Sequence, residues 1–337
     1  DFIGKAVTST HRVSFSATAL GQPFRELRTL PSHVAPPTSS AALWHAIASG
    51  ELERAPDDLP LFPDLTVCAI SLRAPETLKH TLESWRVAGL LRNVNQTVLY
   101  MQEVVLSDFF DFGLDGERVT VIGDQFNMGI GRGLTACVSA VRTRFVLFLE
   151  DDWVLTPLRV QDWPRTVAAG LQLIDANQVQ LVRLRDTNPF EGSEMTLNCT
   201  LRDFLPQPRK CKHWCSCFWG TTPYTWGESV MQMWMELGVF QCHTDPEILC
   251  FPVLYCPWTN NPLLYEKQWY LEHVAPVAAA DTNSWKHWLE TAINYHTPSD
   301  GTFCTRNFTI GVATSGMFLH DPLGEGFIDE RGFTTRV

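Results

Sequence analysis

The chain has 337 residues and a mass of 38.1 kDa, enough for one large domain or two fused ones. Its composition, 45% hydrophobic, 11% aromatic and 19% charged, supplies a large core and excludes both a disordered chain and a small disulfide scaffold. Lys and Arg number 26 against 37 Asp and Glu, a formal charge of −11 with no basic run, which argues against nucleic-acid binding; no apolar stretch approaches the roughly 18 residues of a membrane span.

Residues 1–60 carry Pro31, Pro36, Pro37 and Pro56 among Ser and Thr clusters. They read as a stem or N-terminal wrap with a short helix near 41–47. From residue 61 the pattern changes. The apolar, β-rich run 65–71 reads as a buried strand, and Pro75 and Glu76 open a helix with Leu78, Leu82 and Trp85 on one face. Strands follow at 97–102 and 119–122, then a small-residue-rich helix over 130–141 and a fully apolar strand over 145–149. Strands alternating with helices predict an α/β fold, a mostly parallel sheet covered on both faces. Such sheets bind ligands beyond the carboxyl ends of their strands.

The fourth strand ends in Glu150, Asp151, Asp152 and Trp153. Three adjacent carboxylates repel one another, and a divalent cation such as Mn²⁺ or Mg²⁺ would relieve that repulsion. An acidic loop exposed to water is the alternative, but the buried strand before it favours the cation.

Ten cysteines are present. Cys68 and Cys137 lie in apolar contexts and read as buried thiols. The other eight, all in the C-terminal half, suggest disulfides formed in an oxidising lumen, with pairing left open. Cys211, His213, Cys215 and Cys217 are spaced too tightly for an ordinary zinc site. Sequons at Asn95, Asn198 and Asn307 agree with secretion.

Three segments in order, VCAISLRAP from Val67, NMGIGRG at 127–133 and VLFLEDDW at 146–153, resemble the GT-A glycosyltransferases of the family-2-like and N-acetylglucosaminyltransferase I-like kind. The resemblance covers roughly residues 62–160. It implies a Rossmann-like GT-A fold, with 61–160 as the nucleotide-sugar half and 161–337 as the Cys- and Trp-rich acceptor half. It also implies that Asp152 ligates the metal, Asp151 faces the sugar or ribose, and Glu150 supports them. Ser71, Arg73 and Glu103 would stand at the nucleotide, as would Asn127, Gly129 and Arg132 of the glycine-rich segment, whose helix N-terminus favours anions. An apolar run over 315–320 ends in His320, the expected further metal ligand.

On that resemblance the chain is a metal-dependent, inverting transferase that moves a sugar from a nucleotide sugar, a UDP-sugar by preference, to a glycan or glycoprotein. Inversion needs a carboxylate base. Glu290, in a helix over 285–295 that follows an acceptor-approaching segment at 258–264, is preferred; Asp245, Glu247 and Asp281 are the alternatives. Some of the twelve tryptophans would stack on acceptor sugars, Trp153 being the first to weigh. The expected setting is the Golgi lumen, with a membrane anchor preceding Asp1. The rival reading is a secreted carbohydrate-binding protein on a degenerate transferase scaffold; a phosphotransferase ranks third, for want of a P-loop or kinase signature.

Overall fold

The computed structural model of the chain describes residues 62–72, 74–103, 118–124, 126–155, 159–185, 235–236, 238–254, 256, 258–260, 262–280, 289–295, 303, 306–320, 327–328 and 334–335. All belong to one compact unit, Ser39–Val337. The expected stem and its short helix lie outside the described residues, as do the tight Cys211–Cys217 cluster, Cys199, Cys304 and Asn198.

Strand β1 (Phe62–Leu72) is buried on both faces from Leu65 to Ser71, which is why its sequence is a continuous apolar run rather than an alternating one. It pairs in parallel with β2 (Val94–Gln102) on one side and β4 (Phe145–Glu150) on the other, and β3 (Val119–Asp124) extends the sheet beyond β2. Beyond β4 come β9 (Leu263–Glu266), β6 (Leu181–Arg183), β10 (Thr309–Ala313), β8 (Glu247–Pro252) and β7 (Phe240–Thr244), in the order β3-β2-β1-β4-β9-β6-β10-β8-β7. Only β9 and β8 run against the other strands. The expected α/β architecture with a mostly parallel sheet is what the chain adopts.

Helix α1 (Pro75–Val87) starts with proline at its first turn and buries Leu78, Leu82 and Trp85, at 1%, 1% and 0% exposure. A four-residue helix, α2 (Leu90–Asn93), leads into β2. The apolar stripe of α1 joins Leu147, Leu149 and residues of α4 (Trp163–Asp175) in one core on one face of the sheet. The other face carries α3 (Ile130–Ala140), α5 (Lys267–His273) and α6 (Ala275–Ala280). There Tyr265 stacks on Tyr270 with ring centroids 5.3 Å apart, and Trp258, Trp269 and Phe303 surround them.

Three expectations need correction. Cys68 and Cys137 are joined as a disulfide between β1 and α3 rather than standing as separate thiols. Cys242 and Cys250 bridge β7 to β8, but Cys256, one of the eight expected in disulfides, is a buried free thiol that accepts a hydrogen bond from Arg183 Nη1 at 3.3 Å. Trp153 is a core residue, 2% exposed, and offers no indole face to an acceptor; Trp258, 1% exposed, is core as most of the tryptophans were expected to be. No helix among the described residues is long and apolar enough to cross a membrane.

Candidate functional site

The carboxyl ends of β1, β2, β4 and β6 share one edge of the sheet, because these strands run in the same direction. Ile70 pairs with Glu150 in register, so the next residues along, Ser71 and Asp151, stand side by side where the strands end. Ser71 Oγ donates to Asp151 Oδ2 at 2.5 Å. The chain turns at Asp151 and Asp152 and enters a short strand, β5 (Trp153–Leu155), which pairs antiparallel with β11 (Phe318–His320). That pairing sets His320 opposite Trp153 and brings His320 Nε2 within 2.8 Å of Asp152 Oδ2.

The three acids therefore face different surroundings. Glu150 is half-buried at the strand end. Burial, and then the neighbouring charge of Asp152, push the Asp151 carboxyl up to about 7, against the lowering effect of the Ser71 hydroxyl. Asp152 uses one oxygen on His320, while its Oδ1 is buried with no hydrogen-bond partner among the described residues. A buried carboxylate oxygen left without a donor is costly, and a cation at that oxygen would remove the cost. Asp152 and His320 thus fit a divalent ion, and an imidazole in the donor set favours Mn²⁺ over Mg²⁺. No cluster of three or more His, Cys, Asp or Glu among the described residues could hold a metal by itself, so water or ligand oxygens would complete the shell. The Trp153 ring lies 5.2 Å from the His320 ring, and the Arg185 guanidinium sits 5.3 Å over Trp153.

Of the residues expected at the nucleotide, Glu103 follows β2 in the left-handed region with φ 56°, a conformation a non-glycine residue rarely takes. Arg73 lies outside the described residues. Asn127 Oδ1 accepts from the Gly129 amide at 2.8 Å, and Gly129, with φ 78°, precedes the first turn of α3. Arg132 Nε donates to the Ala279 carbonyl of α6 at 3.3 Å. A side chain at Gly131 would collide with the Ala278 carbonyl, and one at Gly133 would crowd Gln102 and Tyr100 at 3.1 Å. These two glycines serve close packing of α3 against α6 and β2. Gln102, buried and accepting from the Met128 amide at 2.8 Å, was invisible to motif reading, because a glutamine closing a strand carries no signature.

Of the four base candidates, the side chains of Asp245 and Glu247 are described. Asp245 is 78% exposed and paired with Arg165 at 2.7 Å. Glu247 opens β8 and accepts from Gln241 Nε2 at 2.9 Å; β8 lies four strand spacings from β4, roughly 19 Å. Asp281 is outside the described residues. Position 290 is the second residue of α7 (Leu289–Tyr295), and its side chain is likewise not described. One turn further on, Asn294 Oδ1 accepts from the Trp258 amide and its Nδ2 donates to the Trp258 carbonyl, both at 2.9 Å. The two segments expected to cooperate, 258–264 and the late helix, are therefore joined.

No family model matches the chain, and no curated protein matches it. Among solved structures it is similar to the crystal structure of S. aureus TarS 1-349, at 10% identity with a TM-score of 0.39, over 77% of this chain and 60% of that one. The complex of the same fragment with UDP aligns at 11% identity with a TM-score of 0.40, over 79% and 62% of the two chains. The complex with UDP-GlcNAc aligns at 14% identity with a TM-score of 0.28, over 40% and 37%. The chain thus spans about three-fifths of the length of the first two, at 60% and 62%, and likeness of this degree assigns neither family nor activity.

Proposed function

We propose that the chain is a metal-dependent GT-A glycosyltransferase that moves a sugar from a nucleotide sugar, a UDP-sugar by preference, to a glycan or glycoprotein acceptor with inversion. The observation that carries this reading is the partnerless buried Oδ1 of Asp152, beside His320 at the carboxyl edge of the sheet. Breaking a sugar–phosphate bond leaves a diphosphate with growing negative charge. A divalent ion on Asp152 and His320 would supply Lewis-acid stabilisation of that charge.

The chain's own residues divide the remaining work. Ser71 holds Asp151, which faces the sugar or ribose. Arg73, Glu103, Asn127, Gly129 and Arg132 border the nucleotide. Glu290 takes the proton of the acceptor hydroxyl as it attacks the anomeric carbon. The cysteine-rich half and the exposed sequon residue Asn307 agree with a secretory, Golgi-lumenal setting.

Calorimetric titration of UDP with and without Mn²⁺ tests the reading. Binding that needs Mn²⁺ supports the enzyme; binding of sugars without metal-dependent binding of UDP supports the carbohydrate-binding alternative instead.

A further inference from the structure

The backbone of the acidic turn is held from helix α1. Between β4 and β5 the polar groups of alternate residues point at one face of α1. Thr81 Oγ1 donates to the Asp151 carbonyl at 2.6 Å, and Trp85 Nε1 donates to the Trp153 carbonyl at 2.9 Å. Ser84 Oγ accepts from the Leu155 amide at 3.1 Å and donates to the Thr81 carbonyl at 2.7 Å. Positions 81, 84 and 85 share one helix face, and the three side chains are 0%, 4% and 0% exposed. One row on a helix thus meets residues 151, 153 and 155.

We infer that this row positions the cation site, with Thr81 as its principal positioning residue. The inference rests on Asp152 and His320 being that site. Fixing the Asp151 carbonyl fixes the peptide plane between Asp151 and Asp152, and with it the direction in which the Asp152 carboxylate leaves the chain. Fixing the Trp153 carbonyl holds the other side of Asp152. The carboxylate is then aimed at His320 before any ion arrives, which lowers the cost of ordering it on binding. Partners one layer behind metal ligands typically change metal affinity by about 10–100-fold.

Thr81→Val keeps the branched shape and removes the hydroxyl; Thr81→Ser keeps the hydroxyl; Trp85→Phe keeps most of the ring and removes the N–H. Mn²⁺ affinity at saturating UDP, read by electron paramagnetic resonance, is expected to weaken about 10–100-fold in Thr81→Val and to return close to wild type in Thr81→Ser. Trp85→Phe is expected to weaken it in the same direction, and it carries the test if Thr81→Val does not fold. A row that only glues helix to strand would lower the melting temperature and leave Mn²⁺ affinity unchanged, and that result in folded Thr81→Val or Trp85→Phe overturns the inference. Wild-type protein that binds no Mn²⁺ with UDP would overturn the site reading itself, so the two failures are told apart by the wild-type control.

Discussion

His320 and Asp152, 168 positions apart, meet at 2.8 Å because β11 pairs with β5 just where the chain leaves the acidic turn. The contact takes up one carboxylate oxygen and leaves the other buried, with no hydrogen-bond partner among the described residues. If that oxygen is the cation anchor, Asp152→Asn should lower turnover by at least about 100-fold, the size of effect expected when charge stabilisation at a leaving group is lost. The melting temperature of the metal-free variant should stay near wild type, since among the described residues only His320, when protonated, pairs with Asp152. Initial rates across a Mn²⁺ series check it, and wild-type turnover in Asp152→Asn excludes this anchor.

The strands of residues 62–150 were legible because strands buried on both faces are written as unbroken apolar runs, such as 65–71 and 145–149. The acids stood out because they follow one of those runs. His320 was legible as a histidine ending an apolar strand, but its meeting with Asp152 depends on a pairing of distant segments that no local pattern encodes. The same holds for Cys68 and Cys137, separated by 69 positions. Trp153 misled because an indole can face the core or a sugar with the same neighbours in sequence. The Thr81, Ser84 and Trp85 row did carry a signal, polar groups at helical spacing within a buried face, which reads as noise until its partners are known.

The glycine-rich segment supplies a second prediction. Gly131 approaches the α6 backbone so closely that a methyl group would overlap the Ala278 carbonyl, and it would also press on Leu289 Cδ1 at 3.0 Å. Backbone cannot yield as a flexible side chain does, so Gly131→Ala should destabilise the protein by about 1–3 kcal/mol, the usual cost of overpacking. Gly133→Ala meets only side-chain atoms of Gln102 and Tyr100, at 3.1 Å, and should cost less. Urea unfolding of both variants orders the two effects; the reverse order would mean that α3 and α6 are not packed as described.

Acid should act through His273. Burial, followed by the nearby Arg306 guanidinium, lowers the pKa of this imidazole, with Glu272 opposing them. A base whose folded pKa lies below its unfolded value favours the folded state while neutral. Its contribution is present above about pH 6.5, the unfolded value, and is lost as pH falls through the folded one. The ring also packs on Phe308 at 5.2 Å, so His273→Gln loses contacts at every pH and the slope is the informative quantity. The melting temperature of wild type should fall more steeply from pH 7 to pH 5 than that of His273→Gln; equal slopes would remove His273 as the cause.

The base assignment is the part of the mechanism with the sharpest kinetic consequence. Asp245 is exposed and already paired with Arg165, and Glu247 stands four strands from the acidic turn, a poor distance for a group that must touch the attacking hydroxyl. Position 290 lies one turn before Asn294, which ties α7 to Trp258, and so belongs to a helix anchored on the segment expected to approach the acceptor. Glu290→Gln should therefore lower kcat by about 10²–10⁴-fold, the usual range for a lost general base, while Mn²⁺-dependent UDP affinity stays at the wild-type value. Asp245→Asn should stay within about twofold of wild type, because an exposed ion pair contributes little. A near-normal kcat in Glu290→Gln would hand the role to Asp281. Loss of UDP affinity together with kcat would instead show that α7 shapes the donor site rather than deprotonating the acceptor.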